Sequence, residues 1–98
     1  MAPLKIRFEW DENKAESNYR KHGIRFEDAA TVFLDQHRLL ELDPCEFEER
    51  WRTIGKSEVS LLFFVVHTAR DKAGTEIIRV ISARHAKSSE RRRYYGNR

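Results

Sequence analysis

Residues 59–83, Val59-Ser60-Leu61-Leu62-Phe63-Phe64-Val65-Val66-His67-Thr68-Ala69-Arg70-Asp71-Lys72-Ala73-Gly74-Thr75-Glu76-Ile77-Ile78-Arg79-Val80-Ile81-Ser82-Ala83, decide the fold. Val59 to Thr68 contains a continuous apolar run, Leu61 to Val66, which predicts a strand buried on both faces. Asp71-Lys72-Ala73-Gly74 is a turn signal, and Glu76 to Ala83 reads as the last strand. A connection this short makes the two strands antiparallel. Upstream, Glu49 to Ile54 alternates charged and apolar residues, a third strand that enters Val59 through the turn Gly55-Lys56-Ser57-Glu58. His37 to Leu42 reads as another strand, ended by Asp43-Pro44.

The N-terminal part changes period. Lys5 to Glu9 alternates polar and apolar residues and predicts a short strand. Asp11 offers an N-cap, Glu12 suits the first turn, and Gly23 supplies a left-handed stop, so the first helix runs from Asp11 to His22. Phe26, Ala29, Ala30, Phe33 and Leu34 fall at helical spacing and predict a second helix from about Phe26 to Leu34. Ser88 or Ser89 caps a final helix through Tyr95. The order strand, two helices, four strands, helix gives the class α+β: an antiparallel β-sheet meander with two N-terminal helices and a C-terminal helix on one face.

Ninety-eight residues make one domain, 1–98. The chain is 40% hydrophobic, enough for a core, yet 36% charged, against roughly 25% in an average domain. One cysteine, Cys45, excludes an internal disulfide framework and suits a reducing, cytoplasmic setting. No apolar run approaches the roughly 20 residues of a membrane helix, and Met1-Ala2-Pro3-Leu4-Lys5 lacks a signal region. Charge is uneven. Residues 1–48 carry seven basic and eleven acidic side chains, a balance of −4, whereas residues 49–98 carry twelve and five, a balance of +7. A basic half suggests a polyanion partner or a solvated surface.

Several catalytic patterns are absent: a Gly-rich phosphate loop, HExxH, CxxC and a Gly-x-Ser-x-Gly elbow. The four histidines lack the spacing of a helical metal site, so neither metal nor cofactor is expected. Arg50 and Arg52 share one face of their strand. Arg79 sits between Ile78 and Val80 in a segment fit for burial, where a guanidinium needs an ion pair, an exposed cross-strand partner or a site to face. Arg84 follows at the strand end. Lys21-His22-Gly23 is explained equally by helix termination and by a site that handles a proton and a phosphate. Glu90, Arg91 and Tyr94 share a turn of the last helix. A tyrosine among arginines either packs on the sheet or stacks on a base.

Three stretches together resemble the BrnT family, the toxins of type II toxin–antitoxin pairs. They are Phe8 to Ala15 leading through Asn18 to Lys21-His22-Gly23-Ile24-Arg25-Phe26-Glu27-Asp28-Ala29, then Glu49 to Ser57, then Arg79 to Ala86 with Glu90-Arg91-Arg92 and Tyr94. The resemblance implies a RelE-like fold, a ribonuclease that inhibits translation and arrests growth, and a BrnA-like antitoxin with a ribbon-helix-helix DNA-binding part. It also implies a heterotetramer of two toxins and two antitoxins that reaches operator DNA only through the antitoxin. The positions matching the family's recurrent polar residues are Lys21, His22, Glu49, Arg50, Arg79, Ser82, Arg84, Glu90 and Tyr94. His85 stands where a lysine is common, and Ser88-Ser89 where basic residues are usual.

These implications define an expected site. A metal-free ribonuclease drives the ribose 2′-hydroxyl onto the neighbouring phosphorus, and needs a base, an acid and cations. Arg50, Arg79 and Arg84 are expected as the cations. His22 is expected as acid or base, Glu49 as an alternative base and Lys21 as an electrostatic helper. Tyr94 is expected to stack on the nucleotide or supply a proton. Arg52, Ser82, His85, Arg91 and Arg92 are expected to contact RNA, free or on the ribosome. The rival reading is a non-catalytic nucleic-acid or protein-binding module on the same basic surface.

Overall fold

The computed structural model describes residues 5–96. Strand β1 (Lys5–Glu9) leads into helix α1 (Glu12–His22). A short helix α2 (Phe26–Ala30) tightens into a 3-10 turn over Thr31–Leu34. Strands β2 (Leu39–Asp43), β3 (Arg50–Lys56), β4 (Leu62–Lys72) and β5 (Thr75–His85) follow, and helix α3 (Ser88–Gly96) closes the chain. The strands form a single sheet in the order β1-β5-β4-β3-β2.

Local chemistry sets most boundaries. The Asp11 carboxylate accepts from the N–H groups of Asn13 at 2.8 Å and Lys14 at 3.1 Å, which satisfies two orphan donors of α1. Gly23 ends α1 in the left-handed region at φ 72°, donating to the Tyr19 carbonyl at 2.8 Å. The second predicted helix is α-helical only to Ala30. Gly55 was expected in a turn but lies within β3, because the Thr31–Leu34 segment comes close to it. A Cβ on Gly55 would stand 3.2 Å from the Val32 carbonyl oxygen and from the Cβ atoms of Val32 and Arg38. The turn before β4 instead spans Ser57 to Leu61, closed by Ser57 N–H to the Leu61 carbonyl at 2.8 Å.

Strands β2 to β5 form the expected antiparallel meander. The sheet as a whole is mixed, which corrects the antiparallel reading: β1 pairs in parallel with β5 from Lys5↔Thr75 to Glu9↔Arg79. The alternation of residues 5–9 encodes a strand but not its neighbour. The helices carry the chain from β1 across the sheet to β2 on the far edge, and this crossover leaves β1 beside β5.

The helices also divide between the two faces rather than sharing one. On the first face Ile24, Phe26, Ala29, Val32 and Phe33 pack against Phe63, Val65, Ile78, Val80 and Ala83. On the second, Tyr94 of α3 packs with Ile54, Leu62 and Phe64. Alternation along β4 sends Phe63 and Val65 one way and Leu62 and Phe64 the other. Helix α3 starts at Ser88, so neither Ser88 nor Ser89 stands before it as the expected cap. Glu90 reaches back instead, its carboxylate accepting from the Lys87 N–H at 2.7 Å.

Candidate active site

Register makes the second face of the sheet an arginine face. Strand β5 carries one extra residue: Val66 pairs with Ser82 but His67 pairs with Val80, so Ile81 has no opposite on β4. Residues five apart on a regular strand point to opposite faces. The extra residue cancels that offset. Arg79 pairs with Thr68 and Arg84 with Phe64, two β4 residues four apart, so both arginines share the face that α3 covers only in part. Arg52 and Ser82 flank Val66 in the same row, and Arg50 follows Arg52 by alternation.

At the open end of this face a carboxylate joins two arginines. Arg79 Nη2 donates to Glu48 Oε1 at 2.7 Å, and Arg50 Nε donates to Glu48 Oε2 at 2.7 Å. Arg50 and Arg79 stand on strands separated by β4, about 10 Å apart. Glu48, in the 44–49 connection, therefore lies over the middle of the sheet. The hydrogen bond from Arg50, with the charges of Arg79 and Arg50, holds the Glu48 carboxyl below its usual value of 4.5, and Glu48 raises Arg50 in return. The group is 34% exposed and the Arg79 side chain 36%, so solutes reach both. Sequence reasoning named Glu49, which is exposed, and passed over Glu48. Two adjacent glutamates at a strand entrance give no signal of which one turns inward.

Toward α3 the arginines are more tightly held. Arg84 closes its fork on Glu90, Nη1 to Oε1 at 2.9 Å and Nη2 to Oε2 at 2.8 Å, and lies 3.9 Å from the centre of the Phe64 ring. Burial alone would push Glu90 up, but Arg84 and the Lys87 N–H hold it below the ordinary glutamate value. Glu41 accepts from Arg93 and from Arg52, and the Arg93 hydrogen bond is the main cause of its lowered pKa. Arg91 and Arg92 are exposed on α3.

The other expected residues lie elsewhere. Tyr94 is 1% exposed, and its hydroxyl donates to Asp35 Oδ2 at 2.6 Å. Tyr95 is the accessible tyrosine of α3, 42% exposed, with the Lys56 ammonium 5.4 Å and the Arg91 guanidinium 5.8 Å from its ring centre. Lys21 and His22 line a shallow hollow with Asn18, Ile81 and Ser82, at the β5 edge rather than over the arginines. His85 is exposed and packs edge-on to Phe63, which belongs to the first face.

His67 was not singled out from the sequence. It is buried on the first face, with Nδ1 3.1 Å from the Thr68 carbonyl and Nε2 2.8 Å from Thr53 Oγ1. A carbonyl only accepts, so Nδ1 carries the proton and Nε2 accepts from Thr53. Burial pushes its pKa below 6.5 and keeps it neutral. A hollow of about 500 Å³ lies on that face among Phe33, Leu40, Trp51, Thr53, His67 and Ile78. Its lining is mostly apolar and suits a polyanion poorly. Among the described residues no group of three or more His, Cys, Asp or Glu is placed to hold a metal ion, and no helix is long and apolar enough to cross a membrane.

The family model described as "Ribonuclease toxin, BrnT, of type II toxin-antitoxin system" matches residues 10–90. The chain belongs to the BrnT family. Its fold is similar to the crystal structure of the ribonuclease toxin BrnT from Brucella abortus, with a TM-score of 0.57 and 28% sequence identity, covering 88% of this chain and 100% of that one. No curated protein sequence matches the chain. Membership in the BrnT family makes it a ribonuclease toxin of a type II toxin–antitoxin system, with an antitoxin as partner and RNA as substrate. The match spans the arginine strands and ends at Glu90, the residue that fixes Arg84.

Proposed function

We propose that the arginine face binds RNA and cleaves it without a metal ion. The observation that carries this reading is the pair Arg50 and Arg79, held over one open face with donors left for a phosphate. Cleavage proceeds by attack of the 2′-hydroxyl on the adjacent phosphorus, with Arg79 and Arg50 stabilising charge on the phosphoryl oxygens. Arg84, closed on Glu90, keeps α3 and the far end of the face in place and adds positive potential. Lys21 and His22 flank the β5 edge at Ser82, where they border the RNA path and Lys21 adds positive charge. Arg52, Arg91 and Arg92 extend the phosphate track, Ser82 marks its β5 end, His85 lies on the opposite face and is left out of it, and Tyr95 offers a ring for base stacking in place of the buried Tyr94. Glu49, exposed at the entrance of β3, is the outer carboxylate of the site.

On this reading the chain acts in the cytoplasm, inhibits translation and arrests growth as RelE-like toxins do. A BrnA-like antitoxin with a ribbon-helix-helix part neutralises it in a heterotetramer of two toxins and two antitoxins that meets operator DNA through the antitoxin. One observation favours the rival, a binding module without catalysis: Arg50, Arg52, Arg79, Arg84 and Arg93 each already hold a carboxylate. Incubation of the antitoxin-free protein with total RNA in EDTA, beside Arg79→Ala, separates the two. The wild type is expected to degrade RNA, and the variant to be slower by about 10²-fold or more. Intact RNA in both lanes, repeated in a translation extract, would leave the binding module standing.

A further inference from the structure

We propose that Glu48 is the general base of the cleavage, an inference that rests on the ribonuclease reading of the arginine face. Among the described residues it is the carboxylate bonded to both Arg50 and Arg79. Each arginine spends one nitrogen on it, Arg50 through Nε and Arg79 through Nη2. The remaining N–H groups of both forks can take a phosphodiester directly beside the carboxylate. The other carboxylates of the face are placed differently. Glu90 is 9% exposed and closed bidentately on Arg84, and Glu41 is shared between Arg52 and Arg93. Among the described residues, Glu48 combines an accessible position with contact to the two cations at the open end.

The chemistry follows from that placement. With the phosphate on Arg50 and Arg79, Glu48 takes the proton of the 2′-hydroxyl as the bond from O2′ to phosphorus forms. The bond from phosphorus to O5′ breaks, its electron pair leaves on the 5′-oxygen, and that oxygen takes a proton from water. The products are a 2′,3′-cyclic phosphate and a 5′-hydroxyl. The charges facing Glu48 are Arg50 from β3 and Arg79 from β5. Asp43 and Cys45 lie within electrostatic reach of Arg50, and Glu9, the β1 register partner of Arg79, bonds Arg70. The two arginines keep the carboxylate ionised in the free protein. As phosphate draws on their donors, their hold weakens and the carboxylate gains basicity when the 2′-hydroxyl arrives.

The test compares wild type, Glu48→Gln and Arg79→Ala on a defined oligoribonucleotide, or on message in programmed ribosomes if free RNA resists. Single-turnover rates are measured across pH, and binding is measured with a fully 2′-O-methylated oligonucleotide, which cannot be cleaved. Glu48→Gln is expected to slow cleavage by about 10²-fold or more. It is expected to bind the methylated probe at least as tightly, since a negative charge is gone, and to lose the acid limb of the pH profile. A variant that cleaves at the wild-type rate, or loses rate while the acid limb persists, overturns the proposal. With Arg79→Ala crippled in the same assay, that result leaves the ribonuclease reading intact. If Arg79→Ala also cleaves normally, the assignment of this face falls with it.

Discussion

The side chain of Asn18 stands in for a β-strand at Ala83. Its carbonyl oxygen accepts from the Ala83 N–H at 3.0 Å, and its amide nitrogen donates to the Ala83 carbonyl at 3.0 Å and to the Ile24 carbonyl at 3.1 Å. Strand β1 pairs with β5 only as far as Arg79. Beyond it, next to the extra residue Ile81, α1 takes over the edge, and one buried amide satisfies backbone groups that no strand reaches.

Replacing that amide therefore tests the edge. Asn18→Leu strips partners from the N–H and carbonyl of a fully buried residue. The expected loss is about 2–4 kcal/mol of folding stability, read as a shift of the urea midpoint. A midpoint unchanged within error would mean that water replaces the amide without cost.

Tyr94 and Tyr95 are adjacent, and the structure gives them opposite duties. Tyr94→Phe removes the hydroxyl that donates to Asp35, and is expected to cost about 1–2 kcal/mol of stability while RNA cleavage stays near wild type. Tyr95→Ala is expected to leave the urea midpoint nearly unchanged and to weaken binding of a single-stranded oligonucleotide by about 1 kcal/mol. Loss of cleavage in a folded Tyr94→Phe protein would return that hydroxyl to the chemistry.

Acid should loosen the fold through its held carboxylates. Asp35 would be pushed up by burial, but hydrogen bonds from the Lys56 N–H, Tyr94 and the His37 N–H hold it low. Glu41 is lowered chiefly by Arg93, and Glu90 by Arg84 against its burial. Their folded pKa values lie below the ordinary 3.8 and 4.5. Their stabilisation is thus complete above those values and lost as pH falls through the folded ones. In thermal melts between pH 6 and pH 3, the part of the Tm drop that comes from these carboxylates should lie mainly below about 4.5. Glu90→Gln should be less stable at pH 7 by about 1–3 kcal/mol and drop less steeply in acid.

His67 adds a separate limb nearer neutrality. Its folded pKa is depressed by burial, so below 6.5 the unfolded chain binds a proton that the folded protein refuses. Stability should therefore fall with pH from about 6.5 downward, by at most about 1.4 kcal/mol per pH unit for one proton, until the folded value is reached. His67→Gln should flatten that slope between pH 7 and pH 5. An equal slope in both proteins would show that His67 protonates freely.

Part of the arginine face was legible. Arg50 and Arg52 on one face follow from alternation alone, and Arg79, set between apolar neighbours, announced that it needed a partner or a site. What escaped was contact at a distance. Arg79 finds its carboxylate 31 residues earlier in the 44–49 connection, where Glu46, Glu48 and Glu49 read alike. Tyr94 looked like a ligand because arginines surround it in sequence, yet the helix turns it into the core and leaves Tyr95 outside. His67 hid within the apolar strand, and only a hydroxyl on the neighbouring strand explains its burial.

The sequence by itself determined the kinds of element and their order, because strand and helix periodicity, N-caps and turn residues act over a few neighbours. Its motifs also fixed the family. Tertiary structure alone decided that β1 runs parallel to β5, that α3 takes the face opposite α1, and that Arg79 and Arg84 share a face. The last depends on a single residue, Ile81, left without an opposite on β4. An extra residue in a strand has no mark in an alternating pattern. It becomes visible only where a second strand fixes the register.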